Sequence, residues 1–325
     1  MKTMKWLMQR EYWENKGMLL WAPSIIAGLM VAVTAVMLII GNKMEIHFNG
    51  DSLARFHEMT SVQRHELASA IGAAFPIMAT PLYILMGFVI FFYCLGALYD
   101  DRRDRSILFW KSLPLSDTTT VLSKVAVATV AAPLIVAVIG FAASLAITLM
   151  MSIALSFHGL NVFGDLLSST NLWLSPFRML ALIPIYLLWA LPTVGWLLMV
   201  SSWARSKVFL WAVGAPLMTG ALLAWANFAF KLGVNIEWFF SQVVLRLLGS
   251  VLPGAWLIFD RSIYGAADKS MRHADQMDVM QAGQVVSFFN EAYASLASPT
   301  LWVGVAAGVA MIAVAIWMRR WREEN

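Results

Sequence analysis

The chain has 325 residues, of which 60% are hydrophobic and 13% are charged, whereas a soluble globular chain is about half apolar and a quarter charged. Its net charge of +4 does not indicate a nucleic-acid-binding surface, because the basic residues concentrate at the ends of apolar runs, as in the positive-inside pattern of membrane proteins. The one cysteine, Cys94, excludes a disulfide framework and a cysteine metal cluster. The composition predicts an all-α polytopic membrane protein.

Six apolar runs are long enough to cross a hydrocarbon core of roughly 30 Å. Before the first of them, residues 1–16 mix aromatic and charged side chains and predict a short helix at the cytoplasmic interface. The first run is too long for a signal peptide and has no convincing cleavage site, so we expect it to remain as a span. We predict one transmembrane domain over residues 1–325, with spans at 18–40, 71–99, 125–155, 179–203, 208–230 and 299–318.

The segments between the spans differ in character. Residues 42–69 are polar and predict a partly helical outer loop, and 161–178 predict a short loop. In the outer segment 231–298, residues 236–259 are apolar but interrupted, which predicts interfacial or re-entrant helices, whereas 260–291 are hydrophilic. Within the third span, Pro133 predicts a kink, because proline removes a backbone hydrogen bond.

Orientation follows from the density of Lys and Arg. With both termini inside, the short inner segments hold fourteen of these residues and the longer outer segments hold nine. The positive-inside rule therefore predicts cytoplasmic termini in a cell (inner or plasma) membrane.

The predicted spans contain no Asp, Glu, Lys, Arg or His. Ionisable groups within spans are typical of proton relays and ion pathways, so their absence argues against a proton-coupled carrier or an ion pump. The sequence also lacks the phosphate-binding pattern G-x-x-x-x-G-K-[ST]. If the protein uses ATP, another polypeptide must bind it.

The inner segment between spans two and three, residues 100–124, is the most informative part of the sequence. It begins DDRRDR, continues with exposed aromatic residues, and reaches Pro114, which should end a short helix. Ser116 or Asp117 can cap the next helix. A short helix with aromatic side chains at the membrane face suits docking into a groove on a cytosolic partner. The candidate docking residues are Arg105, Phe109, Trp110, Lys111, Leu113, Pro114 and Asp117.

Two sets of residues resemble a known family. The opening REYWENK at 10–16 is similar to the N-terminus of permease subunits of ATP-binding-cassette exporters of the second permease class (type V fold). That family carries, after span two, a charged stretch, a hydrophobic pair, a Pro-hydrophobic-Ser/Thr turn and a Lys. The residues here that match that order are Asp104, Arg105, Leu108, Leu113, Pro114, Leu115, Ser116 and Lys124. Where many members have Gly-Thr, this chain has Ser106 and Ile107, which leaves the start of that helix undefined.

The resemblance implies a transport subunit, not an enzyme, in which residues 100–124 form a coupling helix. It further implies a second permease chain (identical or paralogous), two separate cytosolic ATPase subunits that bind ATP and Mg²⁺, and outer re-entrant helices between spans five and six. The chain itself is then expected to bind no cofactor and no metal.

Two alternatives remain open. One is a non-transporting membrane protein that recruits or regulates a partner through the same inner segment. The other is a membrane-embedded enzyme with a site in 260–291, where His273, Asp275 and Asp278 could supply metal ligands from one helix.

Overall fold

The computed structural model describes residues 2–41, 61–104, 116–157, 161–259 and 289–321. These residues are helical with short connections, and none of them forms a strand. Six of the helical stretches are long and apolar enough to cross a membrane, which confirms an all-α, multi-pass membrane protein. They are Gly17–Ile40, Thr80–Arg103, Asp117–Phe157, Thr170–Trp203, Val208–Phe230 and Pro299–Trp321.

Fifteen α-helices have defined bounds in this part of the chain. In chain order they are α1 (Lys2–Glu14), α2 (Ala22–Gly41), α3 (Ser61–Met78), α4 (Thr80–Ala97), α5 (Tyr99–Arg103), α6 (Asp117–Ala126), α7 (Ala132–Phe157), α8 (Phe163–Ser168), α9 (Thr170–Ala181), α10 (Ile183–Trp203), α11 (Val208–Phe230), α12 (Ile236–Phe239), α13 (Arg246–Gly249), α14 (Ala255–Phe259) and α15 (Pro299–Trp321).

Prolines shape two of the long helices. A π-helical turn, Gly17–Trp21, precedes Pro23 in α2, and another, Val127–Ala131, precedes Pro133 in α7. A proline ring clashes with the carbonyl four residues earlier, and a widened turn at that point relieves the clash. The irregularity predicted at Pro133 is thus a π turn that begins before the proline.

Helix α10 lies at the centre of the bundle and α15 packs closely along it. A Cβ on Gly195 would fall 2.5 Å from the Gly308 carbonyl oxygen, and one on Gly308 would fall 2.6 Å from the carbonyl of Leu191. The two helix backbones are therefore in direct contact. Helices α2 and α11 lie at the periphery, with few of their side chains buried.

The predicted second span is divided in the structure. Helix α3 ends at Met78, Ala79 has φ −87° and ψ 2°, and α4 begins at Thr80. Pro81 stands in the first turn of α4, where its missing N–H leaves no helical hydrogen bond unmade. The Thr80 hydroxyl donates to the Ile77 carbonyl at 2.7 Å and covers the end of the preceding helix.

The prediction of a loop at 161–178 is wrong. Residues Phe163–Ser168 and Thr170–Ala181 form α8 and α9, and α9 packs against α3. Leu172 and Ser175, three residues apart on one face of α9, are buried, and the Ser175 hydroxyl donates to the Gly72 carbonyl at 3.1 Å. This amphipathic spacing is the signal that the sequence reading missed.

Residues 236–259 form a helical hairpin, which we call the 236–259 hairpin. Its first arm runs from α12 through a π turn, Phe240–Leu245, into α13, and its second arm is α14. The Gln242 side-chain amide donates to the Phe259 carbonyl at 3.0 Å and joins the arms. In the turn, Gly254 has φ +85°, which a residue with a Cβ rarely adopts. The tip packs into the bundle, where Val251 joins the main core.

Candidate functional site

Six of the seven predicted docking residues (105, 109–111, 113 and 114) lie outside the described residues. The seventh, Asp117, is the first residue of α6. Of the two capping residues that the sequence allows, Ser116 caps this helix, since its hydroxyl accepts the Thr119 backbone N–H at 3.1 Å. The Asp117 carboxylate accepts a hydrogen bond from the Arg319 guanidinium at 3.1 Å. The described end of the docking segment is therefore attached to α15.

A buried lysine lies beside this point. Lys124, in the last turn of α6, is 3% exposed, and its ammonium group is 2.9 Å from the Glu11 carboxylate and 3.3 Å from that of Asp101. Glu11 on α1 is itself 2% exposed, and its other oxygen accepts a hydrogen bond from the Tyr93 hydroxyl at 3.0 Å. One cation thus joins α1, α5 and α6.

Arg319 extends this cluster to the last helix. Its guanidinium is 3.6 Å from Asp101 and 3.1 Å from Asp117, and its side chain is buried. We call Glu11, Asp101, Asp117, Lys124 and Arg319 the charged network. It connects four elements that are widely separated in the sequence, at one end of the bundle.

A separate set of hydrogen bonds attaches α5 to the end of α10. The Arg102 guanidinium donates to the carbonyls of Ser201 and Ala204, the latter at 2.9 Å. The Ser201 hydroxyl accepts the backbone N–H groups of Leu98 and Tyr99 at 3.0 and 2.9 Å. The chain just before segment 105–115 is therefore fixed to α10, whereas the chain just after it is fixed to α15.

A cleft of about 350 Å³ opens beside the charged network. Its floor contains Glu11, Tyr93 and Lys124, and its rim is mainly acidic, with Asp100 and Asp104. Among the described residues no group of His, Cys, Asp or Glu is arranged to hold a metal ion. Of the charged groups that line the cleft, Glu11, Asp101 and Lys124 form ion pairs between helices, whereas Arg10 and Glu14 pair within α1.

Sequence reasoning included Lys124 in the inner segment and Glu11 in the REYWENK motif, but assigned neither a partner. For Arg319, the sequence pattern indicates only one of several basic residues after the sixth apolar run. An available signal was that Lys124 is followed directly by an apolar run, so that a charge there needs a partner when the helix packs. The position of that partner, 113 residues away, carries no local signal.

Comparisons of the chain with protein-family models, with curated proteins and with solved structures find no match in any of the three. Any conclusion about function therefore has to rest on the geometry of the molecule and on its sequence.

Proposed function

We propose that the chain is the transmembrane subunit of an ATP-driven exporter, and that segment 105–115 docks on a separate ATPase. The observation that supports this is the attachment at both ends of the segment. Asp101 and Arg102 fix the preceding helix, and Asp117 and Lys124 fix the following one. A force applied to the segment would reach α1, α10 and α15 through these contacts.

The charged network suits this role because of its energetics. Buried charges are costly to separate, since each would lose its partner in a poorly solvated site. Small displacements of α6 would therefore move α1 and α15 together with it and leave the ion pairs intact. Energy would come from ATP hydrolysis on the partner, because the sequence has no phosphate-binding motif of its own.

The proposal also fixes the orientation and assembly. The density of Lys and Arg favours a cytoplasmic position for the charged network, where an ATPase can reach it. The 236–259 hairpin then enters from the outer side as a re-entrant element, and its tip, at Val251, is buried in the main core. A second permease chain completes the transporter, and membrane lipid covers the exposed apolar helices.

Purification in mild detergent, followed by identification of bound proteins and an ATPase assay, tests this function. We expect an ATPase to co-purify and to hydrolyse ATP. The pair Trp110→Ala with Lys111→Glu should release it, whereas Trp302→Ala, an exposed tryptophan far along the chain from the segment, should not. Lys124→Met should retain the partner but reduce the ATPase activity that the intact permease supports.

Four results would contradict the proposal in different ways. Absence of any ATPase partner would rule out an exporter subunit. A bound partner without ATP hydrolysis would favour a recruiting or regulatory protein. Stoichiometric metal in the purified chain would favour the enzyme alternative and direct attention to residues 260–291. If Trp110→Ala with Lys111→Glu left the ATPase bound, the docking assignment would be wrong.

A further inference from the structure

The first arm of the 236–259 hairpin carries a buried arginine that the proposed function does not use. Arg246 is 6% exposed, and its guanidinium carbon lies 4.9 Å from the ring centre of Trp189 on α10, within range of a cation–π interaction. Trp189 is itself buried, and its indole N–H donates to the Ser295 hydroxyl, just before α15, at 3.1 Å. Arginine within an apolar bundle is expensive, which points to a specific role.

The space for this guanidinium exists because residue 304 of α15 is glycine. A Cβ on Gly304 would fall 2.6 Å from Cζ and 3.0 Å from Nε of Arg246. Three atoms of the guanidinium lie within 3.0 Å of that position, so the group as a whole would have to move. The guanidinium therefore lies in a notch between α10 and α15 whose shape depends on Gly304 facing Trp189.

The relative position of α10 and α15 determines whether the notch is present. Their backbones touch at Gly195 and Gly308, one turn along α15 from Gly304. A helix advances about 1.5 Å and turns about 100° per residue, so a shift of α15 by one residue would bring a neighbouring side chain into the notch. A shift of α15 by one residue from the observed register would therefore remove the site of Arg246.

Hydrogen bonds from two residues of α10 hold the hairpin near its turn. The Thr193 hydroxyl donates to the Arg246 carbonyl at 3.0 Å and accepts the Ser250 N–H at 3.1 Å. The Tyr186 hydroxyl donates to the Val251 carbonyl at 2.9 Å. Movement of α15 along α10 would act on the hairpin through Arg246, and also through Leu301 of α15, which packs in one buried cluster with Ala255, Trp256 and Phe259.

We infer that Arg246 is a latch, which holds the 236–259 hairpin in its site for one register of α15 against α10 and releases it when α15 shifts. The inference goes beyond the proposed function and holds whether or not the chain transports anything. It connects the hairpin to the charged network, because Arg319 lies fifteen residues from Gly304 on the same helix, about 22 Å along the axis.

The test measures how fast a cysteine at the hairpin tip reacts with a thiol reagent in the full-length protein. Val251→Cys serves as the reporter, because Val251 is 2% exposed and its side chain makes no hydrogen bond. The native Cys94 is fully buried, and each variant is also measured without the reporter. Gly304→Ala should raise the reporter's reaction rate about 5- to 150-fold, the factor that corresponds to an overpacking cost of about 1–3 kcal/mol. Gly28→Ala, whose new methyl group meets no atom within 4 Å, should leave it unchanged.

A double-mutant cycle separates a latch from general loosening. Arg246→Ala should itself raise the rate, and adding Gly304→Ala to it should raise the rate no further, since the methyl group then displaces nothing. Equal effects of Gly304→Ala with and without Arg246 would overturn the inference, as would a rate no faster than that of Gly28→Ala. Elution of each variant as a single species in detergent shows that the fold is retained.

Discussion

Lys124 is the residue on which the charged network most depends, so its replacement gives the sharpest test of the geometry. In Lys124→Met, Asp101 keeps Arg319 at 3.6 Å, whereas Glu11, 2% exposed, keeps only the Tyr93 hydroxyl among its contacts described above. Removing one partner of a buried ion pair costs about 3–5 kcal/mol. At about 2–4 °C per kcal/mol, the melting temperature in mild detergent should fall by roughly 6–20 °C.

Two further variants make the Lys124 measurement specific. Lys16→Met removes an exposed lysine, which contacts the ring of Trp13 at 5.8 Å, and should change stability by less than about 0.5 kcal/mol. Adding Glu11→Gln to Lys124→Met should recover at least about 1 kcal/mol, because no buried carboxylate is then left without its cation. A loss no larger than that of Lys16→Met would refute the reasoning, and so would a double variant less stable than Lys124→Met alone.

Two other substitutions test the helix contact and the helix cap. Gly308→Ala places a methyl group 2.6 Å from the Leu191 carbonyl, so chemical unfolding in detergent should show that the free energy of unfolding falls by about 1–3 kcal/mol. Gly214→Ala, whose methyl group meets no atom within 4 Å, should be neutral or stabilising, and similar losses in both variants would contradict the close contact. Ser116→Ala should cost about 0.5–2 kcal/mol and accelerate hydrogen exchange at the Thr119 amide, which has no capping oxygen in this variant; an unchanged exchange rate would argue against the cap.

The spans were predictable because each is a continuous apolar run whose length is set by the membrane, and all six predicted runs correspond to apolar helices. The break in the helix at Ala79 was not predictable, although Pro76 and Pro81 lie on either side of it. A proline tells where a hydrogen bond is missing, but not whether neighbouring groups keep the helix continuous across it. Pro133 lies within a continuous helical stretch, whereas Ala79 separates two helices.

The site was less predictable than the fold, because its contacts are not local. The Ser116 cap, a contact over three residues, followed from the sequence. The pairs Lys124–Glu11 and Arg319–Asp117 join residues 113 and 202 positions apart. The sequence around one member of a pair does not indicate which residue is its partner, because a buried charge requires some partner of opposite sign without specifying which one. The position of Arg246 against Gly304 could not be predicted for the same reason, since the local sequence does not distinguish Gly304 from the other small residues of its apolar span.

Because the chain is synthesised from its N-terminus, the charged network can form only in stages. Glu11, Asp101 and Lys124 all emerge from the ribosome early, so the first ion pairs can form while most of the chain is still unmade. Arg319 follows Lys124 by 195 residues, which at about 5–20 residues per second is a delay of roughly 10–40 s. During that interval Asp117 is present without the arginine that it pairs with in the finished fold. Helix α15 therefore supplies the last member of the charged network. A chain whose synthesis stops before Arg319 contains the rest of the network without this arginine, and this distinguishes it from the full-length protein.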